Sequence, residues 1–249
     1  MERFRRLMTV ALIAGAVAGA LLWALQFVVI GPLIARAETY EAAAAHQDHA
    51  AIPGGAHATP HAAGEPEADA AWQPADGVER TMYTIVGTIL TGIAFAAVLF
   101  GIAAALGLQL DVRRGLVLGL AGFACCALAP AIGLPPKPPG ASAADLHAAQ
   151  FWWVSTAAAT GIGLWAIATA KGSWLWRCGG ALLIALPHAI GAPAPVGQSA
   201  VPADLSRQFA LASVATQAVF WMLLGAIGGP LSARAHRPQA HWPDGVEVS

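Results

Sequence analysis

Long apolar runs alternate with short polar stretches along the whole chain. Six runs hold no Asp, Glu, Lys or Arg, and each is long enough to cross about 30 Å of hydrocarbon as a helix. They are 7–35, 81–110, 115–134, 151–170, 178–195 and 209–231. The pattern therefore predicts an all-α, polytopic membrane helix bundle with six transmembrane helices.

Two polar stretches between these runs share short sequence signatures. Ala-Ile-Gly-x-Pro begins at Ala131 and at Ala189, and Ala-Asp-Leu begins at Ala144 and at Ala203, so the copies are 58 to 59 residues apart. A fainter copy spans 30–76. Self-similarity at a fixed spacing is the mark of repeated units. We therefore expect three helical hairpins related by a threefold internal repeat.

The composition agrees with a membrane protein and gives an orientation. Charged residues make up 11% of the chain, against roughly 25% in soluble domains, and no basic patch with interleaved aromatic residues indicates nucleic-acid binding. With the N-terminus inside, the inner side holds nine Lys and Arg residues and the outer side four. Because positive charge is enriched on the cytoplasmic side, both termini are expected to be cytoplasmic.

The same pattern divides the chain into four segments. These are a basic head with the first transmembrane helix (1–35), an outer His- and acid-rich loop (36–80), a five-helix membrane region (81–231) and a disordered cytoplasmic tail (232–249). Ala35-Arg36-Ala37 has the form of a signal-peptidase site. The apolar run before it is about twice the usual length of a secretory signal, so we expect the first helix to stay uncleaved.

The outer loop has the composition of a metal-collecting segment. Between residues 38 and 79 there are eight acids and four histidines but no Lys or Arg. If the first helix continues, the first two acids share one face, and the histidines are spaced three and four apart, as paired imidazole ligands on a helix are. The candidate ligands are Glu38, Glu41, His46, His49, His57 and His61. The alternative is a solvated, disordered loop.

One histidine is expected at membrane depth. His188 follows Pro187, which lacks a backbone N–H and should bend or break the fifth helix. Ionisable side chains within membranes often serve function, so His188 is a further candidate metal ligand. The alternative is that it bonds a carbonyl freed at the helix end.

Three aspartates stand before apolar runs at equivalent places of the proposed repeat. An aspartate there serves as a helix N-cap. A sharper interpretation is that the three carboxylates ring an outer vestibule and attract cations, as acidic rings do at cation pores. They are Asp76, Asp145 and Asp204.

Several spaced motifs together resemble one membrane protein family, CbtA, the predicted cobalt transporter subunits. The motifs are Glu38-Thr39-Tyr40-Glu41, Trp72-x-Pro-x-Asp-Gly-x-Glu-Arg-Thr, Gly133-Leu134-Pro135-Pro136, Gln150-Phe151-Trp152-Trp153 and Leu186-Pro187-His188. The resemblance implies a multi-pass inner-membrane subunit for cobalt uptake linked to cobalamin synthesis. It also implies a small, single-span partner subunit that bears histidines.

The remaining function classes differ in what they require. Nucleotide hydrolysis needs a GxxxxGK[ST] loop, which the chain lacks, so a gradient, the membrane potential or a partner would drive transport. We expect no enzyme activity and no tightly bound cofactor, with cobalt, nickel or zinc as the transported ion. The alternatives are an accessory or sensor subunit that binds metal without transporting it and, with less support, a membrane redox enzyme subunit.

Overall fold

All elements in the described part of the chain are helices. The computed structural model describes residues 2–50, 74, 75 and 77–235. The helices are α1 (Glu2–Val29), α2 (Gly31–Ala50), α3 (Val78–Ala105), α4 (Val112–Phe123), a π-helical turn (Ala124–Leu128), α5 (Ala129–Gly133), α6 (Leu146–Thr169), α7 (Trp174–Ile190) and α8 (Ala203–Ala235). The predicted all-α fold is confirmed.

Five helical segments among the described residues are long and apolar enough to cross a membrane. They are Phe4–Val29, Val78–Ala105, Val112–Gly133, Leu146–Thr169 and Ala203–Arg234. The remaining expected span corresponds to α7, which has 17 residues. At 1.5 Å per residue it is about 25 Å long, which is shorter than the usual hydrocarbon thickness. The structure therefore supports a multi-pass protein with five full-length spans.

The helices pair differently from the predicted hairpins. α1 packs along α3, as expected for the first hairpin, but α4 packs along α8 and α6 packs along α7. α1 also packs on α8, which joins the first two pairs into one four-helix unit. The third span meets α6 mainly through its π-helical turn and α5, and α7 has no extensive contact with α8 among the described residues. The expected arrangement of three repeated hairpins is therefore not confirmed.

Glycines explain why these pairs form. Each pair crosses where a glycine faces the partner's backbone, so there is no room for a side chain. A Cβ added at Gly15 would lie 2.5 Å from the Cα of Ile93, and one added at Gly180 would lie 2.6 Å from the carbonyl oxygen of Gly163. Close backbone approach replaces the hydrophobic driving force that helices lack within lipid.

The core of the four-helix unit is built from small residues on one side and aromatic residues on the other. Ala11, Ala14 and Ala18 of α1 are buried together with Phe100 of α3 and Phe220 of α8. The small α1 side chains let the neighbouring helices approach, and the aromatic rings fill the space between α3 and α8. The small residues on this face of α1 are thus explained by helix packing.

A π-helical turn interrupts the third span. The backbone N–H of Ala129 donates to the carbonyl oxygen of Ala124, five residues earlier. Pro130 follows, and a proline there clashes with the carbonyl four residues before it. The widened turn accommodates this clash. It carries Cys125 and Cys126, which are half-buried.

The loops that carry the repeated signatures meet at one end of the bundle. The N–H of Val196 donates to the carbonyl of Ala143 (2.8 Å), and that of Ala200 donates to Gly140 (3.1 Å). α2 packs on this loop pair through Ala37, which is fully buried beside Val201. We call this end of the bundle, formed by α2 and the loops 134–145 and 191–202, the α2 end.

Candidate functional site

The acids expected to share a helix face do lie on a helix. α2 runs from Gly31 to Ala50, so it contains the positions of Glu38, Glu41, His46 and His49. Both carboxylate side chains are exposed. The stem of Glu41 approaches Gly140, whose added Cβ would lie 3.1 Å from the Glu41 Cβ. Glu41 therefore lies over the loop 134–145.

One of these acids has a cationic neighbour. A carboxylate oxygen of Glu38 lies 3.8 Å from a guanidinium nitrogen of Arg80, at the start of α3, and both side chains are about half exposed. Exposed pairs of this kind contribute at most about 1 kcal/mol. The contact joins the start of α3 to α2 without burying either charge.

Several predicted ligands lie outside the described residues. These are His57 and His61, together with the side chains of His46 and His49, and Asp76 of the predicted vestibule also lies outside. The role of the four histidines as metal ligands stays a prediction. Among the residues that the structure does describe, no three His, Cys, Asp or Glu side chains gather in a way that could hold a metal ion.

The remaining two aspartates behave differently from each other. An oxygen of Asp145 accepts a hydrogen bond from the N–H of Ala148 (2.9 Å), so its predicted role as the N-cap of α6 is confirmed. Asp204 lies inside the first turn of α8 instead of before it, so its predicted N-cap role is wrong. It lies 3.7 Å from Arg207 one turn later. Both carboxylates are exposed, and the vestibule stays a prediction.

His188 packs against an aromatic ring at the α2 end. Its ring centroid lies 5.8 Å from that of Trp152 on α6, with an angle of 72° between the planes. Pro187 does not end the helix, because α7 continues to Ile190. His188 is half-buried and Trp152 nearly fully buried. The indole fits over Gly133 of α5, where any side chain would collide with it. α5, α6 and α7 thus converge on this pair.

Below this pair, α6 carries two buried hydroxyls that sequence reasoning missed. Thr156 is 0% exposed and Thr160 is 3% exposed, and they follow Trp152 at intervals of four residues. Among the described residues, neither hydroxyl nor the indole N–H of Trp152 has a hydrogen-bond partner. A buried unpaired hydroxyl costs about 1–3 kcal/mol. The available signal was a pair of threonines four positions apart in a largely apolar run.

The comparison with known proteins agrees with the sequence resemblance. The family model described as "Probable cobalt transporter subunit (CbtA)" matches residues 4–233, which include every described helix except the outermost residues of α1 and α8. No curated protein and no solved structure gives a significant match. On the extent of the family match, the chain belongs to the CbtA family of probable cobalt transporter subunits.

Proposed function

We propose that the chain is the membrane subunit of an uptake system for cobalt-class divalent ions, with the α2 end facing outward. The observation that carries this proposal is the arrangement of α2. It holds the exposed Glu41 carboxylate over the loop 134–145, at the end of the bundle where His188 meets Trp152. Collected ions would therefore be released at the same end of the bundle as an entry beside His188.

In this proposal the outer segment concentrates ions and the bundle conducts them. The segment from 38 to 79 contributes eight acids and four histidines. Carboxylate and imidazole suit borderline divalent metals. The chain then acts as a transporter subunit rather than an enzyme, with the metal as its cargo and no resident cofactor.

The proposed topology has six crossings, with α7 as a short sixth span and both termini cytoplasmic in the inner membrane. Arg113 and Arg114 lie in the first turn of α4, Lys171 lies in the connection after α6, and Arg177 lies in the first turn of α7. These positive charges lie opposite the α2 end, as the enrichment of positive charge inside requires. A short span is accommodated by local bilayer thinning. The shared loop signatures would then be remnants of a threefold repeat.

The partner in this proposal is a small single-span subunit with histidines, and cobalamin synthesis is the pathway served. The decisive experiment measures uptake of radiolabelled cobalt by cells that carry this chain alone, the partner alone, or both. We expect uptake with both and little with either alone. Metal binding to this chain with no uptake in any combination would instead establish an accessory or sensor subunit.

We predict that changing His46, His49, His57 and His61 together to Ala slows cobalt uptake mainly at low metal concentration. Fewer ions are then concentrated near the entry, whereas saturating metal overcomes the loss. Because imidazole binds metal only when neutral, uptake by the unchanged protein at low metal should fall as the pH drops through roughly 6.5. The variant should lack most of this pH dependence.

The control is the unchanged protein at saturating cobalt, where both proteins should transport at similar rates. Equal uptake by the variant and the unchanged protein at every metal concentration would show that the outer segment only connects two helices.

A further inference from the structure

The two buried threonines of α6 are unlike the other threonines of the bundle. Thr84, Thr88 and Thr91 of α3 each donate their hydroxyl to the carbonyl four residues earlier, at 2.8 Å. This local bond is the usual way for a threonine to satisfy its hydroxyl in a membrane helix. Thr156 and Thr160 have no such bond within the described chain although both are almost fully buried. Their hydroxyls are therefore available to something other than their own helix.

Their place between α6 and α7 is set by contacts on either side. Towards the α2 end, Trp152 meets His188 of α7. Three turns further along the same stripe, Gly163 meets Gly180 of α7 at backbone distance. Residues spaced by four lie on one helix face, so the hydroxyls lie on the face that turns towards α7, between an aromatic contact and a glycine crossing.

The two contacts have different widths. A glycine crossing brings two helices together with no side chain between them, whereas an indole and an imidazole separate them. From Gly163 towards the α2 end, the α6–α7 interface therefore changes from backbone contact to side-chain contact. At the α2 end this interface is covered by Trp152, which is nearly fully buried and whose N–H also has no partner among the described residues. No hydrogen bond has to break for the indole to move.

We propose that Thr156 and Thr160 line a passage for a hydrated divalent cation between α6 and α7, entered beside His188 and covered by Trp152. The inference rests on the proposed transport function and assigns residues to its path. Hydroxyl oxygens accept hydrogen bonds from the waters of the cation, and being uncharged they do not trap it. Conduction requires such weak, successive contacts.

The chemistry distinguishes a passage from simple packing. In an apolar interface, valine fills the same space as threonine without an unpaired hydroxyl, so packing alone gives no reason for two threonines there. Replacing an unpaired buried hydroxyl by a methyl group should leave the fold intact or more stable. The same replacement should lower the rate of cobalt transport if the hydroxyls line the passage.

The first arm of the test replaces both residues, as Thr156→Val with Thr160→Val. We expect at least about a tenfold loss of maximal cobalt uptake per inserted protein, with unchanged or higher thermal stability in detergent. The Thr→Ser double variant keeps both hydroxyls and should retain uptake. Thr91→Val on the exposed face of α3 is the matched control and should change nothing.

The second arm probes access of water without relying on transport. In a background with Cys125, Cys126 and Cys178 changed to Ala, Thr156→Cys and Thr160→Cys should react with a small, positively charged methanethiosulfonate reagent added outside. Excess Co²⁺ should slow the reaction. Thr91→Cys, which faces lipid in this proposal, should react much more slowly.

The outcomes separate the passage from the transport function. Labelling of both cysteines no faster than that of Thr91→Cys overturns the passage, and so does full uptake by the Val double variant. If the unchanged protein transports cobalt normally, the proposed function is retained in either case. Suppose that cobalt slows the labelling but that the chain and its partner together transport no cobalt. This result supports the passage and contradicts the proposed transport function.

Discussion

Changing Gly115 to Ala should remove most of the folded protein from the membrane. A Cβ at this position would overlap the carbonyl oxygen of Gly225 and lie 2.9 Å from the Cα of Gly229. Both obstacles are backbone of α8, which cannot rotate away as a side chain can. Overpacking of this kind costs about 1–3 kcal/mol or more. The measurements are the amount of inserted protein and its thermal unfolding in detergent.

The matched control is Gly101→Ala on α3, because an added Cβ there meets nothing within 4 Å. Removing a glycine from an open helical position should leave stability unchanged or raise it by up to about 1 kcal/mol. Equal stability of the Gly115 and Gly101 variants would contradict the close α4–α8 crossing, and with it the helix pairing described above.

Changing His188 to Ala should lower the maximal rate of cobalt uptake by about tenfold or more, even with metal in excess. If the imidazole binds the ion at the entry, no external concentration replaces it, which distinguishes this variant from the loop variant. Its ring also contacts Trp152, so the amount of inserted protein has to be measured alongside the rate.

His147→Ala is the control for this variant. His147 lies in the first turn of α6 at the same end of the bundle, and its side chain is exposed. Its removal should affect neither the rate nor the amount of protein. A His188 variant that inserts normally and transports at the full rate would exclude the ligand role, and one that is lost from the membrane would indicate packing.

The local features of this protein follow from its sequence. The apolar runs located the membrane helices because only a helix satisfies its backbone within lipid. Asp145 before an apolar run predicted the cap of α6, and the spacing of Glu38 and Glu41 fitted a helix, which is α2 and not a continuation of α1. Each of these features depends on residues a few positions apart, so the sequence alone determined them.

The choice of helix partners was decided only by the tertiary structure. In a soluble helix an apolar stripe shows which face is buried, but a membrane helix such as α6 is apolar on nearly every face, so periodicity does not identify its neighbour. Gly115 fits Gly225 although more than a hundred residues separate them in the sequence. The same limit concealed Thr156 and Thr160, whose burial depends on α7. Asp204 resembled Asp145 in sequence, yet α8 begins one residue before it, because the helix start depends on how the preceding loop packs.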